Sequence, residues 1–345
     1  IFYGNNAQGK TNILEAVYYA ACGSSFRGNS DGELIKWNAD GGSISLGFSR
    51  LEVANQLDFA FRRDKRRTIV YNGQKIPLRE LIGAFNVVLF APDDLLLIKG
   101  APAGRRKFLD MEISQASPAY YRELITYNRL LQQRNSLLKE IREGKSKAGM
   151  LEFWNPQLAA SAAKITAKRL EAVQKFNMLA NLMQRRISGN EENLSLSYQI
   201  KGMENGQLAE NMEIWYNEML HGLNNEEIYR GVTCVGPHRD DIIVSVNGIN
   251  LKSFGSQGQQ RTAVLSMKLS ELEFIRSETG EYPVLLLDDV MSELDAGRRQ
   301  QLLNFIEREG IQTLITATDE AYFQQAPLKT YFQVEAGQVK VVNKV

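Results

Sequence analysis

Eight residues near the start restrict the architecture of this chain more than any other segment. Ile1-Phe2-Tyr3 reads as the end of a buried strand, Gly4 to Lys10 as a loop, and Thr11 to about Cys22 as a helix. Ile13, Leu14, Val17, Ala20 and Ala21 set the helical spacing. Gly4-Asn5-Asn6-Ala7-Gln8-Gly9-Lys10-Thr11 fits G-x-x-x-x-G-K-[ST], with strand before and helix after. The glycines let successive backbone N–H groups turn inward on phosphate oxygens, and the helix N-terminus adds partial positive charge. Lys10 is expected to reach the β/γ-phosphates of a nucleoside triphosphate, and the Thr11 hydroxyl to ligate Mg²⁺, with Asn12 completing the contact segment. A three-residue strand is short, and earlier strands are expected to precede Ile1.

Two further segments share this chemistry. Val284-Leu285-Leu286-Leu287 is continuously apolar, which predicts a strand buried on both faces. It ends in Asp288-Asp289 at the carboxyl edge of the sheet, where ligands collect in open α/β folds. Asp288 is the expected Mg²⁺ partner, directly or through water, and Asp289 is placed to orient an attacking water. About thirty residues earlier, Phe254-Gly255-Ser256-Gln257-Gly258-Gln259-Gln260-Arg261 opens a helix whose apolar face includes Val264, Leu265, Leu269 and Leu272. Ser256, the Gly258 N–H and the helix N-terminus form a candidate second anion nest. A plain capped helix start is the alternative reading.

Composition narrows the class. The 345 residues carry 41 Lys+Arg against 40 Asp+Glu. With 43% hydrophobic residues the chain has an ordinary globular composition. No apolar run approaches a membrane span, so no membrane is expected as a partner. Two cysteines and two histidines exclude a disulfide scaffold and argue against a histidine metal site or a Ser–His–Asp hydrolase. The cysteine usage suits a reducing compartment, and a cytoplasmic location is expected.

Together the three motifs resemble the ATP-binding-cassette ATPase superfamily. The resemblance implies that Ser256-Gln257-Gly258-Gln259 is the signature loop that contacts ATP held by an opposite subunit, and that Met291 to Asp295 is the D-loop. Three departures stand out. Asp289 takes the place of the usual Glu, no switch His follows Leu314-Ile315-Thr316, and Phe90-Ala91-Pro92-Asp93-Asp94 occupies the expected Gln-loop region. A shorter carboxylate without a His implies slow hydrolysis.

The spacing of 278 residues between Lys10 and Asp288 is too long for a transporter cassette and too short for a long coiled-coil chromosome protein. Tyr3 to Asn12, Ala91 to Leu95 with Lys99-Gly100, Arg105 to Asp110, and Val235-Gly236-Pro237-His238-Arg239-Asp240-Asp241 resemble the RecF family of bacterial recombination and replication-repair ATPases. That resemblance implies an ATP-dependent homodimer on double-stranded DNA near single-strand/double-strand junctions. It also implies RecO and RecR as partners and a role in loading recombinase onto gaps. An energy-coupling subunit of a transporter is the rival reading.

The expected fold is therefore α/β, a P-loop ATPase head of two lobes with an inserted, mainly helical arm. Residues 1–112 are expected to form the first lobe, 113–230 the arm and 231–345 the rest of the head. These carry 15 basic against 12 acidic, 15 against 13, and 11 against 15 side chains, so the basic surplus lies on the first lobe and the arm. Arg62, Arg63, Lys65, Arg66 and Arg67, with Arg105 and Arg106, are the candidate DNA contacts. A solvated hairpin edge is the bland alternative for the first five. In the arm, two helices broken at Gly144–Gly149 are expected to pack as an antiparallel pair, with Trp154, Met178 and Met183 in the core. Val232–Val235 reads as a strand.

Overall fold

A computed structural model describes residues 1–28, 30–204, 209–318 and 330–342. In chain order its first elements are β1 (Phe2–Tyr3), α1 (Lys10–Cys22), β2 (Gly41–Arg50), β3 (Val53–Arg62), β4 (Lys65–Tyr71), β5 (Gln74–Lys75), α2 (Leu78–Leu81) and β6 (Val87–Phe90). The helical stretch follows as α3 (Leu96–Lys99), α4 (Pro102–Ala116), α5 (Pro118–Arg142) and α6 (Leu151–Ile187), then β7 (Leu194–Gln199), α7 (Met212–Gly222), α8 (Asn224–Arg230), β8 (Asp241–Val246), β9 (Ile249–Asn250) and α9 (Leu251–Phe254). The chain continues through α10 (Gln257–Thr279), β10 (Val284–Asp288), α11 (Val290–Glu293), α12 (Ala296–Glu309), β11 (Thr313–Ala317), β12 (Tyr331–Glu335) and β13 (Gln338–Val342).

These elements fall into two compact units, one of residues 1–95 with 264–345, the other of residues 96–263. The divisions expected after 112 and after 230 both lie inside the second unit. The reason is local: α4 runs through residue 112, and β8 pairs antiparallel with β7 along Leu194 to Gln199, tying the 241–246 strand to the arm.

The first unit holds a six-stranded sheet in the order β13-β12-β1-β11-β10-β6. All its neighbours run parallel except the terminal hairpin β12–β13. The continuous apolarity of β10 is explained by its place, because Leu285, Leu286 and Leu287 are at most 2% exposed. Each such side chain contributes roughly 1.5–3 kcal/mol on burial. A separate antiparallel sheet, β2-β3-β4-β5, turns at Asn72-Gly73, both in the left-handed conformation a two-residue hairpin requires. Its inner face packs Leu57, Phe59, Phe61 and Ile69 against Tyr19 of α1, whose ring meets Phe59 and Phe61 edge-on.

In the second unit α5 and α6 lie side by side across the expected break, and β7-β8-β9 form a small sheet. Met183 is buried and Trp154 half-buried against Leu137, Leu138 and Leu151. Met178 departs from expectation: at 60% exposed it lies on the solvent face of α6.

Val232–Val235 is not a strand. Its backbone groups are taken by side chains instead of a ladder: Thr233 N donates to Asn135 Oδ1 and Cys234 N to Glu227 Oε1, while Thr233 O accepts from Arg239. Among the described residues no helix is long and apolar enough to cross a membrane.

Candidate functional site, a phosphate-binding loop facing two carboxylates

The loop between β1 and α1 takes its shape from one fixed and one variable position of its pattern. Gly4 adopts φ 152°, and a Cβ there would lie 2.4 Å from the Val334 carbonyl oxygen of β12, so no other residue fits. Gln8 points away from the loop mouth. Its Oε1 accepts from Ala336 N at 2.6 Å and its carbonyl from Gly337 N at 3.0 Å, so the turn of the terminal hairpin braces the loop. Asn5, Asn6 and Ala7 are exposed, Gly9 adopts φ 100°, and the exposed Asn12 accepts from Arg27 at 3.0 Å.

Lys10 is buried and turns back over the loop, donating to Gly4 O at 2.7 Å and Asn5 O at 2.8 Å. Desolvation lowers its pKa, while the fields of Asp289 and Asp288 push it back up. The amine therefore stands within electrostatic reach of both carboxylates.

Sheet order explains how residues 277 positions apart meet. β11 lies between β1 and β10, in register Phe2↔Thr316 and Asp288↔Thr316. Thr11 Oγ1 donates to Asp288 Oδ1 at 2.9 Å. Thr316 Oγ1 donates to the same oxygen at 2.8 Å. Asp289 N in turn donates to Thr316 Oγ1 at 3.0 Å. Asp289 itself has φ 52°, a left-handed backbone uncommon outside glycine and asparagine. Thr316 is the site residue that motif reading misses. Its only sequence signal is its place in the strand that leads to a switch His elsewhere in the superfamily.

A hydroxyl and a carboxylate converging beside a phosphate-binding loop are hard oxygen donors, so Thr11 and Asp288 fit Mg²⁺. Among the described residues no cluster of three or more His, Cys, Asp or Glu could hold a metal ion.

In the second unit, Ser256 and Gln259 form a reciprocal cap: Gln259 N donates to Ser256 Oγ at 3.2 Å, and Ser256 N to Gln259 Oε1 at 3.1 Å. Gln259 Nε2 also donates to Glu192. Gln257 and Gly258 begin α10 and are exposed. Asp295 caps α12 through Arg298 N at 2.9 Å, and that bond leads the causes that hold its carboxyl below the usual range.

The basic candidates separate. Arg62, Lys65 and Arg66 are exposed around the β3–β4 turn. Arg63, also exposed, donates to Ala39 O and Lys36 O. Arg67 turns inward to Tyr19 and Asp31. Arg105 is corrected as a DNA candidate. It is 4% exposed, pairs with both Asp241 oxygens at 2.7 and 2.9 Å, and donates to the Leu97, Ile98 and Gly100 carbonyls. Arg106 is half-buried and donates to Asp240 O at 2.7 Å. Helix α4 turns these two inward because their partners, the Asp241 carboxylate and the Asp240 carbonyl, sit where β8 begins.

The Gly236–Asp241 segment is the other half of that knot. Arg169 grips Asp110 through two bonds of 2.9 and 2.8 Å and donates to Pro237 O, while Tyr198 OH donates to Asp240 Oδ2. His238 Nδ1 lies 2.6 Å from Tyr127 OH and Nε2 lies 3.2 Å from Thr233 O, which assigns the proton to Nε2. Burial is the leading cause that pulls the His238 pKa down to about 4.

Below pH 6.5 the unfolded chain thus binds a proton that the native state refuses, and stability falls as pH drops from 6.5 towards 4. Between pH 7 and 5 the native protein is expected to lose on the order of 2 kcal/mol relative to His238→Gln in urea unfolding. Parallel pH profiles for the two proteins would refute this.

The comparisons with known proteins match this geometry. The family described as RecF/RecN/SMC N terminal domain matches residues 1–342. A curated relative, the DNA replication and repair protein RecF of Halothermothrix orenii, is 46% identical over 323 residues, which is 92% of this chain and 86% of the relative. The chain belongs to the RecF family. The RecF of Listeria monocytogenes serotype 4b (strain F2365) is 41% identical over 346 residues, 99% of this chain and 92% of its own. A solved structure described as the recombination mediator protein RecF-ATP in the RecFOR pathway superposes with a TM-score of 0.91 at 35% identity, covering 99% of this chain and 91% of that one.

An Smc head from Pyrococcus furiosus, at TM-score 0.52 and 15% identity, shares the fold alone. The α/β ATPase head expected from sequence is therefore the observed class. As a RecF protein the chain acts in DNA replication and repair and has the ATPase architecture of that family. The transporter reading finds no support in these likenesses.

Proposed function

We propose that this RecF chain is an ATP-gated DNA clamp. The observation that carries the reading is the hydrogen bond from Thr11 to Asp288, which joins the phosphate-binding loop to the carboxylate strand across 277 residues. In this reading the loop N–H groups and Lys10 hold the triphosphate of ATP. Thr11 and Asp288 hold Mg²⁺, which supplies charge neutralisation at the phosphates. Asp289 orients the water whose oxygen attacks the γ-phosphorus as the bond to the β-phosphate oxygen breaks, giving ADP and phosphate. Its side chain is one methylene shorter than the Glu usual in the superfamily, which suits slow turnover. Any stimulation of that turnover by DNA is part of the same proposal.

The Ser256–Gln259 loop then contacts ATP held by a second copy, with Asp295 nearby in the D-loop role, so that ATP closes a symmetric dimer. The closed dimer holds double-stranded DNA near a single-strand/double-strand junction, and hydrolysis releases it. RecR and RecO are the partners that the family likeness brings, and recombinase loading at gaps is the outcome. Exposed Arg62, Lys65 and Arg66 are the cations best placed to meet phosphates.

Light scattering tests the clamp. The mass is expected to double with ATP and not with ADP, and Ser256→Arg is expected to stay monomeric with either. A wild-type protein that stays monomeric with ATP would sink the mechanism. Replacing Arg62, Lys65 and Arg66 together by alanine is expected to reduce the slope of log affinity for duplex DNA against log salt by about 2–3. An unchanged slope would remove these residues from the interface.

A further inference from the structure

We propose that Thr316 is a positioning residue for nucleotide hydrolysis, a hydroxyl latch that fixes the metal-binding carboxylate and the water-orienting carboxylate relative to each other. The inference rests on the ATPase reading above and deepens it.

The argument begins with place. Thr316 is 1% exposed and sits near the end of β11, the strand between the one that feeds the phosphate loop and the one that ends in Asp288. Its hydroxyl meets the end of the neighbouring strand that carries Asp288 and Asp289. The hydroxyl proton goes to Asp288 Oδ1 at 2.8 Å, in preference to the Leu287 carbonyl at 3.5 Å. The oxygen then accepts Asp289 N at 3.0 Å. One hydroxyl thus serves as donor to the first carboxylate and as acceptor from the backbone of the second. Only Ser and Thr combine both roles at that reach.

The second bond bears on an uncommon conformation. Asp289 holds φ 52°, and an aspartate is not kept there without help from its surroundings. Fastening its N–H to Thr316 fixes where the Asp289 side chain leaves the chain. The first bond bears on Asp288. Thr11 and Thr316 both donate to Oδ1, but Thr11 can serve a cation only through its oxygen lone pairs, which ties its orientation to the ligand. The Thr316 bond carries no such obligation and holds Asp288 whichever way Thr11 turns. At the strand end where the superfamily uses a switch histidine one step further on, this chain has a buried threonine acting inside the sheet.

Thr316→Val keeps the shape and removes both bonds, whereas Thr316→Ser keeps the hydroxyl. The assays are single-turnover and steady-state ATP hydrolysis and fluorescent-ATP affinity in EDTA and in Mg²⁺, with Asp289→Asn measured alongside. For Thr316→Val we expect kcat to fall about tenfold or more, the scale of one lost hydrogen bond to a charged group. KM and the affinity in EDTA should stay within about threefold, the mark of an interaction used in turnover and not in holding nucleotide. The Mg²⁺ concentration for half-maximal rate should rise. Thr316→Ser should recover to within about threefold of wild type.

The latch is wrong if Thr316→Val turns over within about twofold of wild type while Asp289→Asn is inactive. It is also wrong if serine falls as far as valine, or if affinity in EDTA falls in step with kcat. If Asp289→Asn itself turns over normally, the carboxylate assignment under the ATPase reading fails and the latch goes with it.

Discussion

Lys10→Ala is expected to lower ATP turnover by about two to three orders of magnitude, the usual cost of removing one charged group from a developing phosphoryl charge. The residue is almost wholly inside the fold, and its amine rests on the Gly4 and Asn5 carbonyls of the loop that would cradle the phosphates. Desolvation works against its charge, and the fields of Asp289 and Asp288 offset part of that, so the lysine and the two carboxylates are electrostatically linked. Truncation at this position leaves the carboxylates facing a polyanion without their cation. The loss should therefore fall on both nucleotide affinity and turnover. Single-turnover hydrolysis with fluorescent-nucleotide binding checks this, and a rate within about tenfold of wild type would show that the loop does not bind the reacting phosphate.

The largest effect on stability is expected in the second unit, at Arg134. Its side chain is fully buried. It donates to Asn155 Oδ1 at 2.9 Å and Thr233 Oγ1 at 2.8 Å, and Nη2 stands 2.7 Å from Glu227 Oε2 as an ion-pair contact without the alignment of a hydrogen bond. Burial raises the Glu227 pKa, and the Arg134 charge is the main opposing influence. Arg134→Met therefore strands a buried carboxylate and two polar side chains, at a cost of about 3–5 kcal/mol. Replacing both partners, Arg134→Met with Glu227→Leu, should cost clearly less, because no charge is left unpaired. Denaturant unfolding of the two variants decides the matter. A single-variant loss under about 1 kcal/mol would mean that Glu227 takes up a proton at little cost.

Local chemistry made much of this legible from sequence. The loop pattern, the apolar run of β10 and the Asn72-Gly73 turn each carry their structural cause within a few residues. The Asp288–Thr11 meeting followed from two motifs that need each other. What sequence could not supply was partners far apart in the chain. Arg105 resembles a surface cation until Asp241, 136 residues on, is seen to neutralise it. Val232–Val235 has the composition of a strand, yet Asn135 and Glu227 take its N–H groups. Thr316 has no motif, because its role comes from strand order. His238 lies in one of the family-like segments, and its environment of buried hydroxyl and carbonyl makes it a neutral structural group.

The order of strands in the larger sheet also sets a timetable for the growing chain on the ribosome. β1 precedes both its neighbours by most of the sequence: Phe2 pairs with Thr316 on one side and Phe332 on the other. The brace on Gln8 comes later still, from Ala336 and Gly337. At about 5–20 residues per second the helical unit has many seconds in which to form from contacts within its own continuous stretch. The phosphate loop gains its second flanking strand and its brace only after Phe332 to Gly337 have emerged. Truncation within the twelfth strand would therefore keep every recognisable motif and remove the Ala336 and Gly337 brace on the loop.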